Sequence, residues 1–175
     1  MHPESKQFMD SLKNVFPEKF GAGVVALDVG SQDINGNNKY LFDGAHYLGL
    51  DIGPGPNVDI VDHVVDFSQK VLTPVYDTVI STNAFEHDSR FTESLQCIIN
   101  GLVRPGGLFA FVCAAEGTPE HGTAAHYPQY SPHTNDYYKN QSIHDVMEAI
   151  DLDEHFRIYH LGYHGIDLRF WGIKK

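Results

Sequence analysis

Val24-Val25-Ala26-Leu27-Asp28-Val29-Gly30-Ser31 is a short apolar run that stops on an acid and a glycine. After an intervening segment, Tyr47-Leu48-Gly49-Leu50-Asp51 is a second apolar run that also stops on an acid. A strand, a crossover and a parallel strand, each with a carboxylate at its C-terminal end, build a nucleoside-binding crevice.

The pattern on either side of this unit extends it into a sheet. Phe8, Leu12, Val15 and Phe16 recur at helical spacing, and Pro17 closes that segment. Residues 31–42 have room for a helix, interrupted by the turn-like Asn35-Gly36-Asn37-Asn38. Gly53-Pro54-Gly55-Pro56 excludes regular structure. A third strand fits at 58–61 or at 64–65, and a fourth at 76–81, where Asp77 reads as a surface residue opening the strand. Phe91, Leu95, Ile98, Ile99 and Leu102 mark one face of a helix. Pro105-Gly106-Gly107 then turns the chain into an apolar fifth strand at 108–113, suited to the centre of a sheet. Ile143, Val146, Met147 and Ile150 mark a last helix, and 156–161 and 166–171 form a hairpin. The fold class that follows is α/β: a Rossmann-like open sheet, mostly parallel with right-handed crossovers, ending in an antiparallel hairpin.

Residues 1–175 read as a single domain, long enough for a substantial core at 42% apolar composition. The formal net charge of -11, from 12 basic and 23 acidic residues, repels phosphate backbones and anionic lipid. No nucleic acid and no membrane are therefore expected among its partners. Cys97 and Cys113 lie far apart in apolar contexts and read as buried thiols in a reducing compartment. With no apolar run of membrane length and no charged-then-apolar leader, the expected location is cytoplasmic.

Charge decides which nucleoside suits the crevice. Asp51 can accept both hydroxyls of a ribose. A nicotinamide dinucleotide would also need a second glycine two residues after Gly30, where this chain has Gln32. Asp33 would oppose a pyrophosphate at that turn. S-adenosyl-L-methionine has no phosphate, and its ammonium and sulfonium favour nearby acids such as Asp28.

The chain resembles a class I S-adenosylmethionine-dependent methyltransferase of the small-molecule, type 11-like kind. The resemblance lies in an ordered set of segments: Leu27 to Ser31, Tyr47 to Asp51, Val65-Asp66-Phe67, Tyr76 to His87 and Leu102-Val103-Arg104-Pro105-Gly106-Gly107. It implies S-adenosyl-L-methionine as cofactor. Asp28, Gly30 and Ser31 would line the methionine end, and Asp51 with its neighbour Ile52 would hold the ribose. Asp66 would bond the adenine amino group, with Phe67 beside the ring. Thr82 and Asn83 would lie below the methyl group. Gln32 departs from the family's pattern at the methionine carboxylate.

Methyl transfer needs alignment and exclusion of water, and an alcohol acceptor also needs a base. His87 follows the fourth strand, where the acceptor pocket opens; it reads equally as a base or as a packing and capping residue. Residues 114–140 have few aliphatics and many His, Tyr, Pro and Gly, which suits an acceptor-binding loop or lid over a sugar-like or heteroaromatic ring. His121 is the second candidate base. The spacing of His121, His126 and His133 matches no tight ligand pattern, so no metal is expected. The function that follows is methyl transfer to a small polar acceptor, on oxygen. The alternatives are a cofactor-binding protein of the same fold without catalysis and a nicotinamide-dependent oxidoreductase.

Overall fold

The computed structural model describes residues 2–134 and 136–175. Its strands are β1 (Val25–Val29), β2 (His46–Asp51), β3 (Ile60–Val61), β4 (Tyr76–Thr82), β5 (Val103–Ala114), β6 (Phe156–His164) and β7 (Asp167–Lys174). Its helices are α1 (Pro3–Val15), α2 (Val64–Ser68), α3 (Phe91–Cys97), α4 (Ile143–Ala149) and α5 (Leu152–His155). The strands form one sheet in the order β3-β2-β1-β4-β5-β7-β6. β7 alone runs antiparallel to its neighbours, so the terminal hairpin adds one reversed strand, as the sequence pattern implies. The chain winds outward from β1 to β3 and then returns to β4 on the other side of β1. That reversal opens a crevice at the C-terminal ends of β1 and β4.

β5 shows why its 108–114 stretch is apolar throughout. Phe109, Phe111 and Cys113 enter the core that holds Val64 of α2, Leu95 of α3 and Val146 of α4. Leu108, Ala110 and Val112 enter the opposite core with Phe8, Met9 and Leu12 of α1. Both faces are covered, so neither set can be polar. Each fully buried large apolar side chain of this kind contributes about 2 kcal/mol.

The structure resolves or departs from the sequence pattern in four places. Residues 31–42 hold only a short 3-10 turn, Lys39–Leu41. The Asp33 carboxylate accepts from Gly36 N at 2.7 Å and Asn37 Nδ2 at 2.6 Å, and Asn37 Oδ1 accepts from Lys39 N at 2.9 Å. These side chains take the amides a helix would need. Of the two sites for a third strand, 60–61 pairs with β2, while Val64 and Val65 open α2 because the His63 ring caps it. Pro105-Gly106-Gly107 lies inside β5, where its register with β4 shifts between Tyr76 and Thr78 and Gly106 takes a φ of 76°. Asp77 is buried rather than at the surface: it accepts from Val25 N at 2.9 Å and pairs with Arg104.

Candidate functional site

Gly30 ends β1 with a φ of 76°, a backbone shape that favours glycine. A Cβ there would come 2.2 Å from the Ala84 Cβ, so glycine lets the turns after β1 and β4 touch. Beneath this contact Asp28 is fully buried. Its Oδ2 accepts from Tyr47 Oη at 2.7 Å and from Asn38 Nδ2 at 3.2 Å, while Oδ1 has no partner. Burial, with a smaller push from Asp51, raises its pKa to about 7. Asn38 also donates to Thr82 Oγ1 at 3.0 Å, which ties the end of β4 to the same carboxylate.

Asp51 closes β2 beside it. Its Oδ2 accepts from Gln32 N at 2.9 Å, and Gly53 N approaches Oδ1 at 3.3 Å. Burial raises its pKa, and these amides oppose the rise. The Gln32 contact is through its backbone amide, which any residue at that position except proline would supply. Ser31 Oγ is turned away and donates to Asn57 O at 3.0 Å. Ile52 is exposed at the cavity wall.

Two residues do not stand where the resemblance would need them. Asp66 and Phe67 do not line the cavity. They sit in α2, where Asp66 pairs with Arg90 at 3.1 Å on the surface and Phe67 packs against the core. Asp62 and His63, just past β3, line the cavity instead. His63 Nδ1 accepts from Val65 N at 3.2 Å, so Nε2 carries the proton it shares with Asp88 Oδ1 at 3.1 Å.

The opposite wall comes from the turn after β4. Asn83 takes a left-handed φ of 52°, a strained shape for a side-chain-bearing residue. A 3-10 turn, Phe85–His87, follows. Phe85 points into the core against Phe91 and Phe111. Glu86 is fully buried and neither carboxylate oxygen has a hydrogen-bond partner. Burial raises its pKa to about 7; the amides of Glu86 and Ala114 and the Asn83 side chain approach it without forming full hydrogen bonds and only moderate the rise. Burial, helped by the neighbouring His121 imidazole, lowers the His87 pKa to about 4. The His87 and His121 rings lie 5.1 Å apart, centroid to centroid, and Tyr138 packs edge-on against both.

The long segment after β5 covers this wall. Among its described residues, regular structure is limited to a 3-10 turn, Pro128–Tyr130. Its far end is pinned by Lys139 N to Glu86 O at 2.8 Å, Gln141 N to Ala114 O at 2.8 Å and Gln141 Nε2 to Phe85 O at 3.1 Å. Its middle reaches the cofactor side: a Cβ on Gly53 would lie 2.0 Å from the His133 ring. Ser142 and Asp145 cap each other's backbone amides and start α4 where the segment ends.

Together these walls enclose about 880 Å³. That is large for one small molecule and matches a nucleoside cofactor with an acceptor. Eight acids line it: Glu4, Asp28, Asp51, Asp62, Glu86, Asp88, Glu120 and Asp167. Among the described residues no Lys or Arg lines it. Such a cavity repels a diphosphate and attracts a cation. Of the residues singled out in the sequence, Asp28, Gly30, Ser31, Asp51, Ile52, Thr82, Asn83, His87 and His121 all reach it. Asn38, Asp62, His63 and His133 reach it too, and the motifs do not mark them. Asn38 was hidden because an Asn in a turn-rich stretch reads first as a turn residue.

The architecture matches solved structures. A Burkholderia thailandensis 1,6-didemethyltoxoflavin-N1-methyltransferase, with 1,6-didemethyltoxoflavin and S-adenosylhomocysteine bound, superposes with a TM-score of 0.66 at 15% identity, over 99% of this chain and 79% of that one. A SAM-dependent methyltransferase from Archaeoglobus fulgidus gives 0.64 at 12% identity, over 97% of this chain and 94% of that one. A Haemonchus contortus phosphoethanolamine N-methyltransferase 2 with S-adenosyl-L-methionine gives 0.56 at 17% identity, over 90% of this chain but 38% of that one. The chain has the fold of S-adenosylmethionine-dependent methyltransferases. No protein-family model and no curated protein matches it. Fold alone does not assign an acceptor.

Proposed function

We propose that this chain transfers a methyl group from S-adenosyl-L-methionine to a small polar acceptor, at a hydroxyl of a sugar-like or heteroaromatic ring, by in-line displacement. The observation that carries this reading is the cavity lining: eight acids, no Lys or Arg among the described residues, and a buried Asp28 Oδ1 without a partner. Those groups fit a cofactor with an ammonium and a sulfonium and no phosphate. Its similarity in fold to enzymes solved with S-adenosylmethionine or its demethylated product supports the same reading.

When bound, the cofactor supplies an electrophilic methyl group on a cationic sulfur. Asp51, oriented by Gln32 N, accepts the ribose hydroxyls. Asp28 faces the methionine ammonium across Gly30. Ile52 gives the nucleoside an apolar contact, and Asp62 and His63 take the adenine end that Asp66 and Phe67 do not reach. Thr82 and Asn83 floor the space under the methyl group. The segment 114–140 holds the acceptor ring with its tyrosines and histidines and excludes water. Orientation of this kind supplies most of the acceleration of a displacement.

His87 and His121 are the catalytic residues at the acceptor. A His87 pKa of about 4 keeps that imidazole neutral, so it repels no cation but takes a proton poorly. The acceptor hydroxyl therefore needs more than His87 to ionise it.

Calorimetry with S-adenosylmethionine, S-adenosylhomocysteine and NAD, followed by an acceptor screen that measures S-adenosylhomocysteine release, tests the assignment. Micromolar binding of the first two, no binding of NAD and turnover with a ring hydroxyl are expected. Binding without turnover on any hydroxyl acceptor would leave a cofactor-binding protein, and preference for NAD would overturn the cofactor.

A further inference from the structure

We propose that Glu86, His87 and His121 form a site for a divalent transition-metal ion at the acceptor side of the cavity. The existence of this site is independent of the methyl-transfer reading; only the ion's role rests on that reading.

One ligand atom from each of the three residues lies within 4.8 Å of the other two. They come from separate segments, the turn after β4 and the loop after β5, so no sequence spacing shows them together. Glu86 is the decisive member. It is fully buried, it lines the cavity, and neither of its oxygens completes a well-formed hydrogen bond; the amides of Glu86 and Ala114 and the Asn83 side chain only approach it, and among the described residues no cation does. A carboxylate in that setting pays a large desolvation cost unless a cation or donors compensate it. Among the described residues no Lys or Arg lines the cavity to do so.

The two imidazoles are oriented for the same task. His121 Nδ1 donates to Pro119 O at 3.0 Å, and His87 Nδ1 makes a longer contact of 3.4 Å to Tyr137 O. A carbonyl only accepts, so Nδ1 carries the proton in each ring and Nε2 keeps its lone pair. Metal-binding histidines are held in this way by outer hydrogen bonds. Gly122 backs the His87 ring: a Cβ there would come 2.6 Å from His87 Cε1.

Two imidazole nitrogens and one carboxylate oxygen select Zn²⁺, Co²⁺, Mn²⁺ or Fe²⁺ over Mg²⁺ and Ca²⁺. Metal–ligand bonds of about 2.1 Å need ligand atoms roughly 3.4 Å apart, so the side chains close inward on loading. Three protein ligands leave a position for the acceptor. The acceptor oxygen binds the ion and its proton leaves to solvent; the oxygen then forms its bond to the methyl carbon as the carbon–sulfur bond breaks. The ion keeps its charge throughout.

The test is titration of the chelator-treated, refolding-checked full chain with Co²⁺, read by visible absorption, and with Zn²⁺ and Mg²⁺ by calorimetry. One equivalent of Co²⁺ at micromolar Kd or tighter, displaced by Zn²⁺ and not by Mg²⁺, is expected. His121→Ala and the isosteric Glu86→Gln should each weaken Co²⁺ at least 100-fold, with circular dichroism unchanged for at least one of them. Millimolar Co²⁺ binding in the parent chain, or equal binding in a folded variant, would overturn the site. S-adenosylhomocysteine is titrated in the same samples. If it binds and Co²⁺ does not, the metal site alone fails; if Co²⁺ binds and it does not, the methyl-transfer reading alone fails.

Discussion

The two walls of the cavity are built on different principles. The proposed cofactor wall stands on the ends of β1 and β2, where Asp28 and Asp51 are fixed by register with neighbouring strands and Gly30 N donates to Leu50 O. The acceptor wall stands on a three-residue 3-10 turn and a long segment with almost no regular structure. The first wall is acidic and hydrogen-bonded; the second pairs imidazoles and tyrosines around one unpartnered carboxylate. A rigid wall suits a ligand that never changes, and an irregular one suits a ligand that differs between enzymes of one fold.

Several substitutions sharpen that contrast. The largest effect is expected at Gly30. Gly30→Ala puts a Cβ into the Ala84 side chain and into a left-handed backbone, so thermal unfolding should show a loss of about 3 kcal/mol. A neutral result would mean that the two turns do not meet. Asp51→Ala comes next, with S-adenosylhomocysteine affinity expected to fall at least tenfold by calorimetry, about 1.4 kcal/mol. The acceptor wall should be untouched by that change.

A pH series separates the walls further. Folded Asp28 holds its proton up to about pH 7, while the unfolded chain releases it near 3.8. Its contribution to stability is thus full at pH 3, declines as pH rises toward 7 and is lost above it. Urea denaturation should show the parent chain losing stability relative to Asp28→Asn over that window. Cofactor binding needs the ionised acid, so affinity should rise by roughly 25-fold from pH 5.5 to 7.5 and level off above about pH 8. A flat profile would disconnect Asp28 from the ammonium. The smallest effect is expected at Ser142→Ala, which removes the cap of α4 and should cost about 1 kcal/mol without changing cofactor affinity.

The same contrast explains what could be read from residues alone. β1 and the 108–114 stretch of β5 are legible because burial on both faces demands apolar runs, and the acids Asp28 and Asp51 stand out at the ends of β1 and β2. The turn-like stretch Asn35-Gly36-Asn37-Asn38 does break any helix over 31–42, and the means, Asp33 and Asn37 binding local amides, is one that hydrophobic spacing does not record. Asp66 and Phe67 lie off the cavity for a related reason: His63 starts a helix one residue after the cavity-lining Asp62, and the helix carries both residues away from the crevice. His121 was visible as a histidine of the loop, but its closeness to Glu86 exists only once β4 and β5 pair. Long-range pairing of that kind leaves no local trace.

We propose that the acidic crevice at the ends of β1 and β2 holds an adenosyl ligand that carries no phosphate. A crystal structure of the chain with saturating S-adenosylhomocysteine tests it most directly. The ribose diol is expected on the Asp51 carboxylate, with the ligand's ammonium beside Asp28. A crevice that stays empty, or one that takes up NAD in preference, would contradict it.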